Sequence, residues 1–356
     1  MKIIEVEATK RKPKPPADTQ LGFGRYFSDH MMLMEFSPDK GWHDARIEPY
    51  HKLTFDPACM ALHYAQQVFD GLKAYRGADG GIRLFRYRDH LERLHASAKR
   101  VCIPEFDVDK VADALKHLVL LDRHWVPKTE GCSLYIRPNI IATDPFLGVR
   151  PSENYLFYII LSPVGAYYPE GFNPVRIQVN DTMVRAVEGG IGEAKAGANY
   201  VASLLGQVQA KAAGFTQVLW LDASERRYVE EVGTMNIFFK IDGEVITAPL
   251  RGSILPGVTR RSTIQLLKDW DVPVSERRLA IDEIVDAARN ERLEEVFGTG
   301  TAAVISPVGH FNYKGETFAV GDGLTGKLSQ RLFDHLTALQ YGKVEDPHGW
   351  VERIDL

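Results

Sequence analysis

The sequence predicts an α+β protein of two domains, and three observations carry that prediction. Its 356 residues, 45% hydrophobic and 25% charged, have ordinary globular composition and suffice for two cores of roughly 100–200 residues each. Runs with strand periodicity and runs with helical periodicity come in separate blocks, which suggests segregated layers. Between the blocks lies "GAYYPEGFNP" at 165–174, rich in Gly, Pro and aromatic residues, a composition suited to a linker. It divides a smaller α+β domain at 21–164 from a larger one at 175–356. The first 20 residues, basic in their second half, are expected to form a mobile tail.

Within the first domain, "MMLMEF" (31–36) reads as a strand, and "LHYAQQVFDGLKAY" (62–75) has apolar residues at helical spacing up to Gly71. "IRLFRY" is a strand. "RDHLERLHASAKRV" is a helix with Leu91, Leu94 and Val101 on one face. Next comes the amphipathic helix "DVDKVADALKHLVLLDRHWV", for which Asp107 is the expected N-cap. Two β-rich runs, "SLYIRPNIIAT" and "YLFYIILSPV", complete the domain. In the second, "NYVASLLGQVQAKAAG" is a helix closed by Gly214, and "TQVLWLD" is a buried strand. "EEVGTMNIFFKIDGEVITAP" gives two apolar runs turning at Asp242 and Gly243, the strongest hairpin signal in the chain. "VTRRSTIQLLKDW" and "LTGKLSQRLFDHLTALQYG" are helices; "EEVFGTGTAAVISPV" is a glycine-interrupted strand.

Bulk properties exclude several functions. A net charge of -4 gives no electrostatic footprint for nucleic acid. The longest apolar run, "YLFYIILSPV", is strand length and no membrane span. The N-terminus has no apolar h-region and carries Glu5 and Glu7, so no secretory leader is expected and the compartment is expected to be the cytoplasm. Cys59, Cys102 and Cys132 are far apart and form neither a disulfide framework nor a metal-ligand spacing, so no metal is expected. No GxGxxG joins a strand to a helix, so the dinucleotide-binding fingerprint is absent.

The chemistry starts from "IGEAKAGANY" at 191–200. Lys195 stands among Gly and Ala residues that leave room for a flat ring, with the Tyr200 phenol nearby; a solvated loop lysine remains the other reading. Downstream, Glu231 offers a carboxylate to a pyridine nitrogen, or is a charge at a hairpin rim. "PGVTRR" starts a helix whose first N–H groups, at Val258 and Thr259, suit a phosphate, or is an ordinary helix start. The "GTGTAA" turn adds hydroxyls at Thr299 and Thr301, and Arg93 offers a cation or a solvated helix face.

Glu231, Gly233, Asn236, Ile237 and Phe238, followed by "VIT" ending at Thr247 and "LPGVTR" ending at Arg260, resemble the signature of the fold-type IV, or class IV, pyridoxal-phosphate aminotransferases. "GEAKAGANY" is similar to that family's cofactor-lysine segment. "LHYAQQVFDGLKAYRG", "SLYIRP" and "FGTGTAAV" resemble branched-chain amino acid aminotransferases in particular. The resemblance spans nearly the whole chain, from Phe23 to Gly342.

It implies pyridoxal 5'-phosphate as cofactor and a second domain with pseudo-barrel β-structure flanked by helices. Lys195 would be the Schiff-base lysine, with Tyr200 on the ring oxygen and Glu231 on the ring nitrogen. Arg93, the N–H groups of Val258 and Thr259, and Thr301 would hold the phosphate. Thr234 and the Ala302 backbone would receive the substrate carboxylate. Phe23, Tyr64, Phe69, Tyr135 and Tyr167 would line the side-chain pocket, with Arg137 available to a second carboxylate. The implied activity is ping-pong transfer of the amino group between L-leucine, L-isoleucine or L-valine and 2-oxoglutarate, by a homodimer. D-amino acid aminotransferase and aminodeoxychorismate lyase share the class signature and stand as alternatives, as does a non-catalytic binding module. One departure is plain: animal branched-chain aminotransferases have a CxxC pair just after the glycine-rich turn, where this chain has Ala303 and Ser306.

Overall fold

The computed structural model describes residues 4–5, 12, 15, 17–165 and 172–355. Tyr167 lies outside the described residues, as does most of the expected linker at 165–174. The chain divides into two compact units that are not continuous in sequence. One comprises Met1–Tyr167, Ala194–Gly197 and Ala338–Leu356, the other Tyr168–Glu193 and Ala198–Thr337. The C-terminal residues from Ala338, expected in the second domain, therefore belong to the first, and so does Lys195. Among the described residues no helix is long and apolar enough to cross a membrane.

The first unit is built on a nine-stranded sheet. Ser133–Ala142 and Tyr155–Val164 form its centre, antiparallel over their full length, and these are the two β-rich runs of the sequence. His30–Ser37 and Gly41–Pro49 extend one side. Leu72–Arg76, Ile82–Phe85 and the C-terminal Val351–Arg353 extend the other. Helices Tyr87–Arg100 and Val108–Leu121 pack on each other and on the sheet. Asp107 caps the second of these by accepting from Lys110 N at 3.1 Å, which satisfies one of the free donors of the first turn. The described residues of the expected tail are tied to this unit. Ile4–Glu5 pairs with Arg46 and Ile47, and Asp18 accepts from Lys128 N and Thr129 N at 2.9 and 3.0 Å.

One predicted helix is not formed as expected. Only Met60–Tyr64 is helical in that stretch; Ala65 takes a left-handed φ of 52° and ends it. Gln67–Phe69 and Leu72–Arg76 are then strands hydrogen-bonded to Ser133–Ala142. The helical spacing of apolar residues lost to ladder pairing with a strand far away in sequence, where β-branched Val68 is fully buried.

Six strands of the second unit close on themselves. In ring order these are Val229–Val232, Gln217–Leu221, Val175–Asn180, Val304–Tyr313, Leu293–Gly300 and Met235–Ile241, which pairs back with Val229–Val232. Closure removes free strand edges. Ile177, Leu219, Ile237, Phe239, Val296 and Phe311 form part of its buried core, with Ile281 and Ile284 from the helix Ile281–Arg289. Asp242 and Gly243 have φ of 50° and 82°, as a two-residue turn of the primed type requires. The glycine-interrupted strand expected around "FGTGTAAV" is instead a hairpin, with Gly300 opposite Val304 and the turn at 301–303. Likewise "EEVGTMNIFF" contains a turn at Gly233 and Thr234, so that Glu231, one residue before the end of its strand, faces Asn236 on the next.

Candidate active site

In the first unit, Lys195 is anchored through its backbone. Its N–H donates to Ser97 Oγ at 2.9 Å, and its carbonyl accepts from Phe69 N at 3.0 Å. Ala196 bridges to Val68. Its ammonium lies 5.3 Å from the Phe69 ring centre, and the residue is half-buried. Beside it is a buried charge network that sequence reasoning missed. Arg93 reaches both oxygens of Asp70, Nε to Oδ2 at 2.9 Å and Nη2 to Oδ1 at 2.8 Å, and His90 Nδ1 is 2.9 Å from Oδ1. Asp70 is fully buried. Burial opposes its ionisation, yet Arg93 and His90 outweigh that and hold its carboxyl well below the usual range. The same burial pushes His90 down, against the pull of Asp70. Arg93 is thus a buried, oriented guanidinium and no solvated helix face.

The structure also brings Phe23, Phe69, Tyr135 and Arg137 together. Phe23 meets Tyr135 edge to face, centroids 4.9 Å apart. The Arg137 guanidinium lies 4.8 Å from the Phe69 ring centre and 5.3 Å from that of Tyr135, and its Nη2 donates to the Tyr135 hydroxyl at 3.3 Å. The backbone makes room for this wall: a Cβ on Gly71 would stand 1.7 Å from the Tyr135 hydroxyl. Tyr64 does not join them. It is 40% exposed on the short helix and donates to the Leu147 carbonyl. Lys73, opposite Tyr135 in the ladder, is a second buried amine, which burial brings down to about 8.

In the second unit the remaining residues gather at one end of the ring of strands. Glu231 pairs in register with Asn236, and Asn236 with Thr299, so the turns at 233–234 and 301–303, with Thr234, Thr301 and Ala302, follow at that end. Asn236 Nδ2 donates to Glu231 Oε1 at 3.0 Å and to the Leu255 carbonyl at 2.9 Å. Leu255 N approaches the same oxygen of Glu231 at 3.3 Å. Helix Val258–Asp269 starts there with Gly257 at its N-cap and no side-chain cap. A Cβ on Gly257 would lie 2.0 Å from Asn236 Oδ1, so glycine is what lets the helix start reach the strand ends. Val258 and Thr259 are buried in its first turn. The Thr299 hydroxyl is buried with no hydrogen-bond partner. Tyr200, half-buried, is in the first turn of helix Gly197–Ala212. Arg185, which no sequence pattern pointed to, is buried with Nε 2.7 Å from Glu231 Oε2. Its only signal is a lone arginine upstream of Lys195 in a Gly-rich segment.

A buried acceptor carboxylate, an uncapped helix start built on glycine and an orphaned threonine hydroxyl suit an aromatic nitrogen base bearing a phosphate. Comparison with known proteins agrees. Residues 67–311 match the family model for amino-transferase class IV. The chain is 53% identical over 351 residues to branched-chain-amino-acid aminotransferase 2 of Bacillus subtilis, covering 99% of this chain and 97% of that one. A solved branched-chain amino acid aminotransferase from Escherichia coli superposes with a TM-score of 0.74 at 28% identity, covering 92% of this chain and 99% of the other. Another branched-chain amino acid aminotransferase, from T.th. and solved with pyridoxamine 5'-phosphate, gives 0.76 at 29%, covering 91% and 98%. A family match over most of its length, with such identity to relatives of the same size, means that the chain belongs to the class IV aminotransferases.

Proposed function

We propose that this enzyme transfers the amino group between L-leucine, L-isoleucine or L-valine and 2-oxoglutarate, with pyridoxal 5'-phosphate as cofactor. The observation that supports this choice of substrates is the wall of Phe23, Phe69 and Tyr135 around the single cation of Arg137. It offers an apolar side chain an apolar surface, worth roughly 1.5–3 kcal/mol, and offers glutamate a charge-assisted donor in the same place. The name of the B. subtilis relative points the same way.

When bound, the cofactor withdraws electrons from the substrate's Cα and carries the amine from donor to acceptor. The chain's residues do the rest. Lys195 Nζ would hold the cofactor through its aldehyde carbon and, when free, would carry a proton from the substrate's Cα to the cofactor's carbon, and the opposite way in the reverse half. Glu231 pairs the ring nitrogen and Tyr200 the ring oxygen. Val258 and Thr259, through their N–H groups, and Thr301 would hold the phosphate, and Arg93, whose orientation Asp70 fixes, would add a cation to it. Thr234 and the Ala302 backbone receive the α-carboxylate. Tyr167 would complete the pocket wall, while Tyr64, on the Leu147 carbonyl, stays apart from it within the chain.

The working form is a homodimer in the cytoplasm. Supporting this are large apolar side chains at the surface: Leu62, Leu147 and Val149 in the first unit, and Val201, Leu204, Leu205 and Val208 along one helix in the second. Sedimentation should return twice the mass of one chain.

The reading is tested by reducing the cofactor-loaded protein with borohydride and mapping the labelled peptide. The label should fall on Lys195; on Lys73, the other candidate amine, it would contradict the assignment. Assays on L-leucine, D-alanine and aminodeoxychorismate separate the proposed activity from its class relatives. Protein that stays colourless with added pyridoxal phosphate would favour a non-catalytic module.

A further inference from the structure

Two adjacent glutamates, Glu230 and Glu231, are both buried, at 6% and 3% exposure, and one guanidinium serves them. Arg185 sets its Nε 2.7 Å from Glu231 Oε2, an ion pair without the alignment of a hydrogen bond. Its Nη2 donates to the Ser253 carbonyl and, at 3.4 Å, to that of Gly192. Those carbonyls belong to two segments in close backbone contact, since a Cβ on Gly192 would lie 2.2 Å from the Ser253 oxygen. The other Glu231 oxygen takes Asn236 Nδ2 and Leu255 N. One carboxylate thus receives a cation and two N–H donors from three different segments, an arrangement that favours its charged form.

Glu230 is treated differently. Its Oε1 accepts from Ser253 Oγ at 2.5 Å, while its Oε2 is buried without a hydrogen-bond partner. Burial pushes this carboxyl up, against Ser253 and Arg185 and together with the charges of Glu231 and Asp222.

We propose that Arg185 is a positioning residue for the cofactor's ring nitrogen: it sets a cation against the Glu231 carboxylate and fixes its place, while Glu230, held by Ser253, takes no part. This rests on the reading of Glu231 as the partner of that nitrogen. Arg185 acts without touching cofactor or substrate. Its effect passes through the Glu231 carboxylate, as outer partners act on the groups that bind a metal.

The test uses the full chain carrying Arg185→Met, Arg185→Gln, Arg185→Lys, Glu230→Gln, Glu231→Gln, or Arg185→Gln with Glu231→Gln. Pyridoxal phosphate affinity, the visible band of the bound cofactor, and kcat and KM for L-leucine are measured. Loss of the charge at Arg185 should weaken cofactor binding about tenfold or more. It should move the band in the same sense as Glu231→Gln and lower kcat about tenfold, with KM within about threefold. Arg185→Lys should recover most of this. The double variant should be no worse than Glu231→Gln alone, and Glu230→Gln should keep the wild-type band. If Arg185→Met does not fold, Arg185→Gln carries the comparison, because its amide takes the place of the Arg185 Nε beside Glu231 and removes the charge while keeping a polar group there. A wild-type band and cofactor affinity in Arg185→Gln, with only a lower melting temperature, would make the arginine a backbone staple and overturn the proposal. So would additive losses in the double variant, or a band shift in Glu230→Gln as large as in Glu231→Gln. Should Glu231→Gln itself leave the band unchanged, the reading of Glu231 fails and the inference falls with it; a band moved by Glu231→Gln but not by Arg185→Gln overturns the inference alone.

Discussion

Replacing Arg137 by Met separates the two substrate classes that one pocket has to accept. Met fills similar volume, so the contact with the Phe69 and Tyr135 rings, 4.8 and 5.3 Å from the guanidinium carbon, is largely kept. What disappears is the cation. A charge-assisted hydrogen bond contributes about 1.5–3 kcal/mol, and the side-chain carboxylate of glutamate would enter the apolar wall with that partner missing. The kcat/KM for L-glutamate and 2-oxoglutarate should therefore fall roughly 10- to 150-fold. An isobutyl group makes no use of the charge, so L-leucine and its 2-oxo acid should change by less than about threefold. Each half-reaction can be followed separately by the absorbance of the bound cofactor in single-turnover mixing. Equal losses for leucine and glutamate would refute the reasoning, and would make Arg137 a support for Tyr135, whose hydroxyl its Nη2 already contacts at 3.3 Å.

Other outcomes follow from the same geometry. Gly71→Ala places a Cβ 1.7 Å from the Tyr135 hydroxyl, so the ring must move; overpacking of about 1–3 kcal/mol should appear as a lower melting temperature and a raised KM for leucine. Asp70→Asn removes the carboxylate that holds buried Arg93; unfolding titrations should show a loss of about 3–5 kcal/mol, and cofactor affinity should drop with it. The folded-state pKa values of Asp70 and His90 both lie below their unfolded ones, so both make stability fall as pH falls. The histidine contribution declines below about pH 6.5 and that of the aspartate below about pH 4, and melting curves of the cofactor-free protein between about pH 8 and 2 should record this. With Ala303 and Ser306 beside the glycine-rich turn, and Cys102 the exposed thiol, mild peroxide should leave leucine transamination intact; rapid inactivation reversed by dithiothreitol would contradict this.

The sequence by itself determined what depends on neighbours along the chain. Asp107 caps its helix because a short acidic side chain reaches the N–H groups two or three residues on. Asp242 and Gly243 turn the hairpin because both tolerate positive φ. The spacing from Glu231 through "LPGVTR" marked the strand end and the helix start that the fold gathers around Asn236. Tertiary structure decided the rest. The stretch after Tyr64 carries helical spacing, yet Gln67–Phe69 is a strand because Asn139–Ile141 offers it a ladder. The turn at 301–303 reverses the chain because the ring of strands needs an antiparallel neighbour there. Phe23, Phe69, Tyr135 and Arg137 are scattered over more than a hundred positions and become a wall only where Gln67–Phe69 pairs with the strand of Tyr135 and Arg137 and Phe23, from outside the strands, meets the Tyr135 ring. Arg185 and Asp70 were illegible for the same reason. A buried charge has meaning only through the opposite charge it faces, and the contacts of Arg185 with Glu231 and of Asp70 with Arg93 bridge sequence distances that local propensity does not span.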